Sequence, residues 1–398
     1  MGHTALQRRE AQVGDPLARL REAMERREAA GLQRSLQPRT SDHDGLIDLA
    51  SNDYLGLSRD PRLIEGAICA VRRWGTGSTG SRLVTGTTQL HAELDRRLAA
   101  FVGAPAGLVF SSGYLANLGA IAALSGPGVL VVSDQVNHAS IVDACRLSRS
   151  RVAVVPHRDV AAVERALADR DEPHALVVTD AVFSVDGDLA PLGELHRVTR
   201  RHGALLVIDE AHALGVVGPG GRGAAHEAGL AGQPDVVLTV TLSKSLGSQG
   251  GAVLGAPEVI QTLVDAGRSF IFDTALAPAG VGAALAALDV LEAEPRLPQR
   301  ARERARRLHE LASGLGFETC GPQGPAAAVV PVVLGDPHAA VRARDICAEH
   351  GARVGCFRPP SVPQGRACLR LTARASLTEA DLTVLEEALL KVRAEIGP

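Results

Sequence analysis

Ala204-Leu-Leu-Val-Ile-Asp-Glu-Ala-His212 is a run of five apolar residues that stops abruptly in two carboxylates and a histidine. A strand with no polar alternation is buried on both faces, which is the environment of a parallel sheet covered by helices. Reading outward, the same texture recurs at 107–110, 129–132, 152–155, 175–178 and 236–240. Helical patterns near 114–125, 139–148, 159–168 and 191–202 separate these runs. Alternation of buried strands and helices predicts an α/β fold with a mostly parallel central sheet. A helix-rich passage follows from about 278 to 315. The chain then ends as strand 328–334, helix 340–349, strand 367–372 and helix 378–396, which predicts a smaller C-terminal α+β domain. The expected division is an N-terminal arm over 1–45, a large domain over 46–285 and a small domain over 286–398. Asp15 and Pro16, followed by Leu17, Leu20 and Met24 at helical spacing, predict one helix in the arm.

At 398 residues the chain buries a substantial core. A net charge of −3 gives no reason to expect nucleic acid or an anionic membrane surface as a partner. The N-terminus, with Arg8, Arg9 and Glu10, lacks the apolar centre of a signal peptide, and the longest apolar stretch, 276–288, is too short to span a bilayer. Six scattered cysteines show no CxxC pair or metal-ligand spacing, so a cytoplasmic protein with reduced thiols and no metal is expected. Of 42 basic residues only Lys244 and Lys391 are lysines. A GC-rich genome accounts for much of that bias. A lysine that persists against it is a candidate for what arginine cannot do, namely form an imine. Lys391 falls in the polar last turn of the final helix, whereas Lys244 lies between an apolar strand and Gly247-Ser-Gln-Gly-Gly251.

Ligands in open α/β sheets bind beyond the carboxyl ends of the strands. Those ends read Ser111-Ser-Gly-Tyr114, Asn137-His-Ala-Ser140, Val182-Phe-Ser-Val-Asp-Gly-Asp188, Asp209-Glu-Ala-His212 and Thr241-Leu-Ser-Lys-Ser245. Gly113 and Tyr114 start a helix, where backbone N–H groups hold phosphate; an ordinary capped helix explains them equally. His138 suits the face of an aromatic cofactor, or a capped helix start. Ser184 is a possible donor to a phenolate. Asp209, leaving an apolar strand, calls for a cationic partner such as a pyridinium nitrogen. An ATPase-type metal box is the competing reading, but the GxxxxGK[ST] loop it needs is absent. With Lys244 ending the next apolar run, the pairing favours pyridoxal phosphate (PLP), and Thr241 suits a phosphate contact.

Taken in order, these motifs resemble the α-oxoamine synthases, PLP-dependent enzymes of fold type I. The resemblance runs from Asn52 to about Thr372. It also takes in Leu49-Ala-Ser-Asn-Asp-Tyr-Leu-Gly-Leu-Ser58, Gly77-Ser-Thr-Gly-Ser-Arg-Leu-Val-Thr-Gly86 with His91, Phe357-Arg-Pro-Pro-Ser-Val-Pro-Gln-Gly365 and Leu369-Arg-Leu-Thr372. It implies that Lys244 carries PLP as a Schiff base and acts as the proton-transfer base. It further implies that Asp209 pairs with the ring nitrogen, His138 stacks on the ring, and Ser184 and His212 bond near O3′. Gly113, Tyr114 and Thr241 would hold the phosphate, with Thr274 helping from a second subunit of a homodimer. Asn52 and Arg370 would bind the amino-acid carboxylate, and Ser361 would lie near the acyl substrate.

FRPPSVPQG with LRLT is most similar to the members that serve biotin biosynthesis. That implies condensation of L-alanine with a pimeloyl thioester, of coenzyme A or acyl carrier protein, to 8-amino-7-oxononanoate, CO2 and thiol. Glycine-using members, of the 5-aminolevulinate synthase or 2-amino-3-ketobutyrate ligase type, are the alternative, because one methyl discriminates weakly. An aminotransferase is more distant, since the SNDYLG and RPPSVP motifs argue against it. Two positions depart from the family pattern. Gln33, followed by Arg34, stands where an arm arginine contacts the acyl substrate, and Ala213 replaces the glycine of DEAHG.

Overall fold

The computed structural model describes residues 15–39 and 45–397. Arg8, Arg9 and Glu10 of the arm lie outside the described residues. The arm helix spans Ala18–Ala29, with Asp15 Oδ1 accepting from the Leu17 amide at 2.9 Å and no buried residue along it.

Among the described residues eleven strands form two sheets. They are β1 (Ile47–Leu49), β2 (Ala106–Phe110), β3 (Val129–Asp134), β4 (Arg151–Val155), β5 (His174–Asp180), β6 (Leu205–Asp209), β7 (Val236–Thr241), β8 (Gly251–Gly255), β9 (Val329–Gly335), β10 (Ala352–Phe357) and β11 (Ala367–Thr372). The large sheet has the order β2-β8-β7-β6-β5-β3-β4 and is parallel except for β8. In β3, β5, β6 and β7 alternate residues enter two cores. Val132, Val177, Ile208 and Leu238 face one core, while Val131, Val178, Val207 and Val237 face the other. The continuous apolar runs of these strands are therefore the mark of two covered faces. The run 152–155, expected as a buried strand, instead forms the edge strand β4 with Val152 and Val154 exposed, because only β3 flanks it.

The antiparallel β8 is the strand that the sequence does not announce. Gly251-Ala-Val-Leu-Gly255 reads as part of a glycine-rich turn, yet all five residues are buried. The chain returns from Thr241 to Gly251 through only nine residues, with Leu242 N–H donating to Gly250 at 2.9 Å. So short a link permits only an antiparallel partner.

The small sheet has the order β1-β10-β11-β9. β1 follows the N-terminal arm in sequence but pairs in parallel with β10, so both ends of the chain build this sheet. Strands β1 and β10 are not announced by the sequence; β1 is three residues long, and the β10 run carries Arg353 and Gly355 among its apolar residues. Arg370 on β11 and Asn52 just after β1 thereby reach the same place.

Candidate active site

The carboxyl ends of β5, β6 and β7 enclose a cavity of about 260 Å³ with Lys244, His138, Asp209, His212, Gly113, Tyr114 and Thr241 in its walls. The register makes Asp180 and Asp209 neighbours on adjacent strands, so two buried carboxylates stand side by side. Asp209 Oδ2 accepts from Asn117 Nδ2 at 2.7 Å and Oδ1 from the Ala211 amide at 2.8 Å. Asn117 is itself fixed, because its Oδ1 accepts from Thr239 Oγ1 at 2.6 Å. Burial, then the Asp209 charge, drives the Asp180 carboxyl well above the usual range. Asp180 is thereby held protonated, which leaves Asp209 as the charged carboxylate of this wall.

Lys244 Nζ lies 2.8 Å from His212 Nε2, and His212 Nδ1 lies 2.6 Å from the Tyr54 hydroxyl. Tyr54 donates to Asn52 Oδ1 at 3.1 Å, and Arg370 Nη2 donates to the same oxygen at 2.9 Å. Donor directions assign themselves along this chain. Lysine has only protons to give, so Nε2 accepts, Nδ1–H donates to Tyr54, and Tyr54 donates to Asn52. His212 is accordingly neutral, and burial followed by the Lys244 and Arg370 charges pushes its pKa well down. Burial also lowers Lys244 to about 8, against the pull of Asp209 and Asp180. An amine tuned this way gives and takes a proton near neutral pH.

The other end of the cavity is built for an anion. The helix Gly113–Leu124 begins there, and the hydroxyls of Thr241 and Ser243 face it, 2.7 Å apart. A Cβ on Gly113 would sit 2.9 Å from Thr241 Cβ, so glycine is needed for strand and helix to meet. Helix-start N–H groups with two hydroxyls suit a phosphate. His138 caps the helix Ala139–Leu147, its amide donating to Asp180 Oδ2 at 2.7 Å. Burial lowers its ring pKa, so an uncharged imidazole faces the cavity.

Arg370 marks the anion site for a substrate. It is 6% exposed, lies 4.3 Å over the Phe357 ring, and donates to Ser184 O at 3.0 Å and to Asn52. Its Nε has no partner among the described residues, and neither of its hydrogen-bond acceptors is a carboxylate. A buried guanidinium of this kind is completed by a carboxylate from outside.

Ser184 itself does not line the cavity; its carbonyl, not its hydroxyl, holds Arg370. Thr274 is exposed and lines a separate small pocket with Ser111 and Asp273, not the wall of the Lys244 cavity. Ser361 lies in a second cavity of about 280 Å³ with Arg34, Arg344 and Arg358. Arg34 Nη2 donates to Ser361 Oγ at 3.3 Å, while Gln33 offers only its backbone carbonyl, to Arg358. Ala213 is fully buried and is not among the positive-φ residues, so its methyl is accommodated without backbone strain.

Asn117, Tyr54 and Asp180 escaped the sequence reading as site residues. Asn117 had a usable sign, an amide in the otherwise apolar helix Gly113–Leu124. Tyr54 lies in the SNDYLG motif, which marks the segment but not which of its side chains turns to the site, and Asp180 reads as an ordinary strand-end residue.

A profile of the family "aminotransferase class I and II" matches residues 44–389. An 8-amino-7-oxononanoate synthase of Mycobacterium sp. (strain KMS) is 61% identical over 377 residues, covering 95% of this chain and 97% of the relative. The serine palmitoyltransferase of Sphingomonas wittichii superposes with a TM-score of 0.90 at 30% identity, over 96% of this chain and 99% of the other. A lysine-to-alanine variant of the serine palmitoyltransferase from S. paucimobilis, solved with a bound PLP–myriocin aldimine, gives 0.89 at 30% identity over 96% and 100%.

Proposed function

The chain belongs to the aminotransferase class I and II family and within it to the 8-amino-7-oxononanoate synthases, and from this premise we propose that it condenses L-alanine with a pimeloyl thioester. The products are 8-amino-7-oxononanoate, CO2 and the free thiol, which places the reaction in biotin biosynthesis. The enzyme is a PLP-dependent acyltransferase of fold type I.

The cavity fits the cofactor on this chain's own chemistry. Lys244 would hold its aldehyde carbon, Asp209 its ring nitrogen, His138 its ring face, and Gly113, Tyr114 and Thr241 its phosphate. His212 would lie near O3′, Ser184 acts through the carbonyl that holds Arg370, and Thr274 would belong to the site of a second copy. PLP supplies, when bound, a sink for the electron pair left at the amino acid's Cα.

The observation that carries the reading is Arg370, the buried guanidinium tied through Asn52, Tyr54 and His212 to the Lys244 amine. With Asn52 it fixes the alanine carboxylate and so decides which bond at Cα is presented for cleavage. Lys244 Nζ, once free, takes the Cα proton, and a pKa held to about 8 makes that transfer reversible near neutrality. Neutral His212 accepts from Nζ and keeps the amine aimed. The second cavity suits the far end of the acyl chain, where Arg34 beside Ser361 replaces the arm arginine absent at Gln33. Two chains are needed for a complete site if Thr274 acts in trans, and Phe272 beside it is 72% exposed, as an interface residue would be. Among the described residues no helix is long and apolar enough to cross a membrane, and all six cysteines are free, which supports a cytoplasmic setting.

The test combines cofactor and substrate. Borohydride treatment of the holoenzyme followed by peptide mass analysis should find PLP on Lys244, and Lys244→Ala should lose it. Pimeloyl-CoA should then be consumed with L-alanine far faster than with glycine or L-serine. Absence of bound PLP, or glycine or serine outperforming alanine, overturns the reading.

A further inference from the structure

His157 lies outside the cavity, yet both of its ring nitrogens face carboxylates. Nδ1 is 3.1 and 3.2 Å from the two oxygens of Asp134, and Nε2 is 2.9 Å from Asp188 Oδ2. A neutral imidazole has one donor and one acceptor, so either tautomer would turn a lone pair toward a carboxylate. Only the doubly protonated ring satisfies both contacts. The ring also stands edge-on to Phe183 at 4.3 Å between centroids.

The two carboxylates belong to the loops that shape the site. Asp134 ends β3 and organises the turn to His138: Oδ1 accepts from the Val136 amide at 2.8 Å and Oδ2 from the Arg158 amide at 2.7 Å. Asp188 closes the 183–188 loop, whose Ser184 carbonyl holds Arg370; Phe183 N–H donates to Asp188 O at 3.0 Å. Asp188 Oδ2 receives only His157 and Arg158, the latter at 3.1 Å, and Oδ1 has no donor among the described residues. At the strand ends Asn137 and the His138 amide already bond to Val178 and Asp180, and Arg158 spans the same two aspartates through its amide and Nη1. The His157 ring adds the charged link that reaches from Asp134 out to Asp188, beyond those strand-end contacts.

We propose that His157 is a positioning residue, an imidazolium strut that ties the loop carrying His138 to the loop holding Arg370 and so sets cofactor face and substrate anion site in register. This rests on the roles given above to His138 and Arg370. The charged groups facing the ring are Asp134 from β3, Asp188 from the loop after β5, and the neighbouring Arg158. Burial opposes the ring's charge, but the Asp134 and Asp188 hydrogen bonds outweigh it and raise the pKa to about 9. Since the folded value lies above the ordinary one, the strut is complete below the usual histidine range and is lost as pH rises through about 9.

The test compares the wild-type holoenzyme with His157→Gln and, separately, Asp188→Asn between pH 7 and 10. The readouts are KM and kcat for L-alanine, and the PLP dissociation constant from fluorescence titration of the apoenzyme. Both variants should raise KM and the PLP dissociation constant by roughly tenfold at pH 7, as for a lost charged hydrogen bond, with kcat changed much less. The wild-type PLP constant should climb toward the variant value as pH passes about 9 while the His157→Gln constant shows no such step. A variant that merely melts at lower temperature, with wild-type constants and pH profile, overturns the proposal. If His157→Gln does not fold, Asp188→Asn decides alone. A wild type that binds PLP but ignores L-alanine overturns the substrate reading instead, and the PLP titrations still judge His157.

Discussion

At the scale of single residues, Arg370 shows how chemistry and position combine. Its buried guanidinium has polar neighbours but no ion-pair partner among the described residues, and burial lowers its pKa against the opposing influence of Tyr54. A carboxylate arriving from solvent is taken by a planar fork already held at two corners by Ser184 O and Asn52. Lysine offers the charge without the fork. Arg370→Lys should therefore raise KM for L-alanine by roughly ten- to a hundredfold while leaving the PLP dissociation constant near wild type. Steady-state kinetics beside a cofactor titration would separate the two; an equal loss in both would move Arg370 from substrate to cofactor.

At the scale of elements, the site depends on how closely β8 approaches the start of the helix Gly113–Leu124. A Cβ on Gly251 would fall 2.5 Å from both Cα and N of Gly113, against backbone that has no room to retreat. Gly251→Ala should cost about 1–3 kcal/mol by overpacking and displace the helix start that faces the phosphate end of the cavity. A lower melting temperature and weaker PLP binding should appear together. Wild-type cofactor affinity in a destabilised protein would mean that the helix start is not a phosphate contact. The sequence shows the glycines but not their reason, because an antiparallel return strand of small residues looks like a turn until its neighbours are in place.

At the scale of the whole molecule, Phe272 and Thr274 are exposed and stand outside the wall of their own cavity. Phe272 is 72% exposed, with the Arg268 guanidinium 4.8 Å over its ring. If this face meets a second copy and Thr274 completes that copy's phosphate site, Phe272→Asp should shift the protein from dimer to monomer in sedimentation. It should also weaken PLP binding. A wild type that sediments as a monomer while retaining PLP would remove Thr274 from the site.

The sequence by itself determined the α/β class and the side of the sheet on which chemistry occurs. Apolar runs covered on both faces admit no other packing, and their polar ends Asp209-Glu-Ala-His212 and Lys244 are costly except around a bound group. It also singled out Lys244, through the rarity of lysine. Only the tertiary structure decided that Asp180 stands beside Asp209, that Asn117 braces the latter, and that Tyr54 and His212 join Lys244 to Arg370. The longest of those contacts cross 92, 158 and 318 positions of sequence, between Asn117 and Asp209, Tyr54 and His212, and Asn52 and Arg370. Periodicity reports which face of an element is buried. It is silent on the neighbour that meets that face, because strand order and register are set by packing of the whole chain.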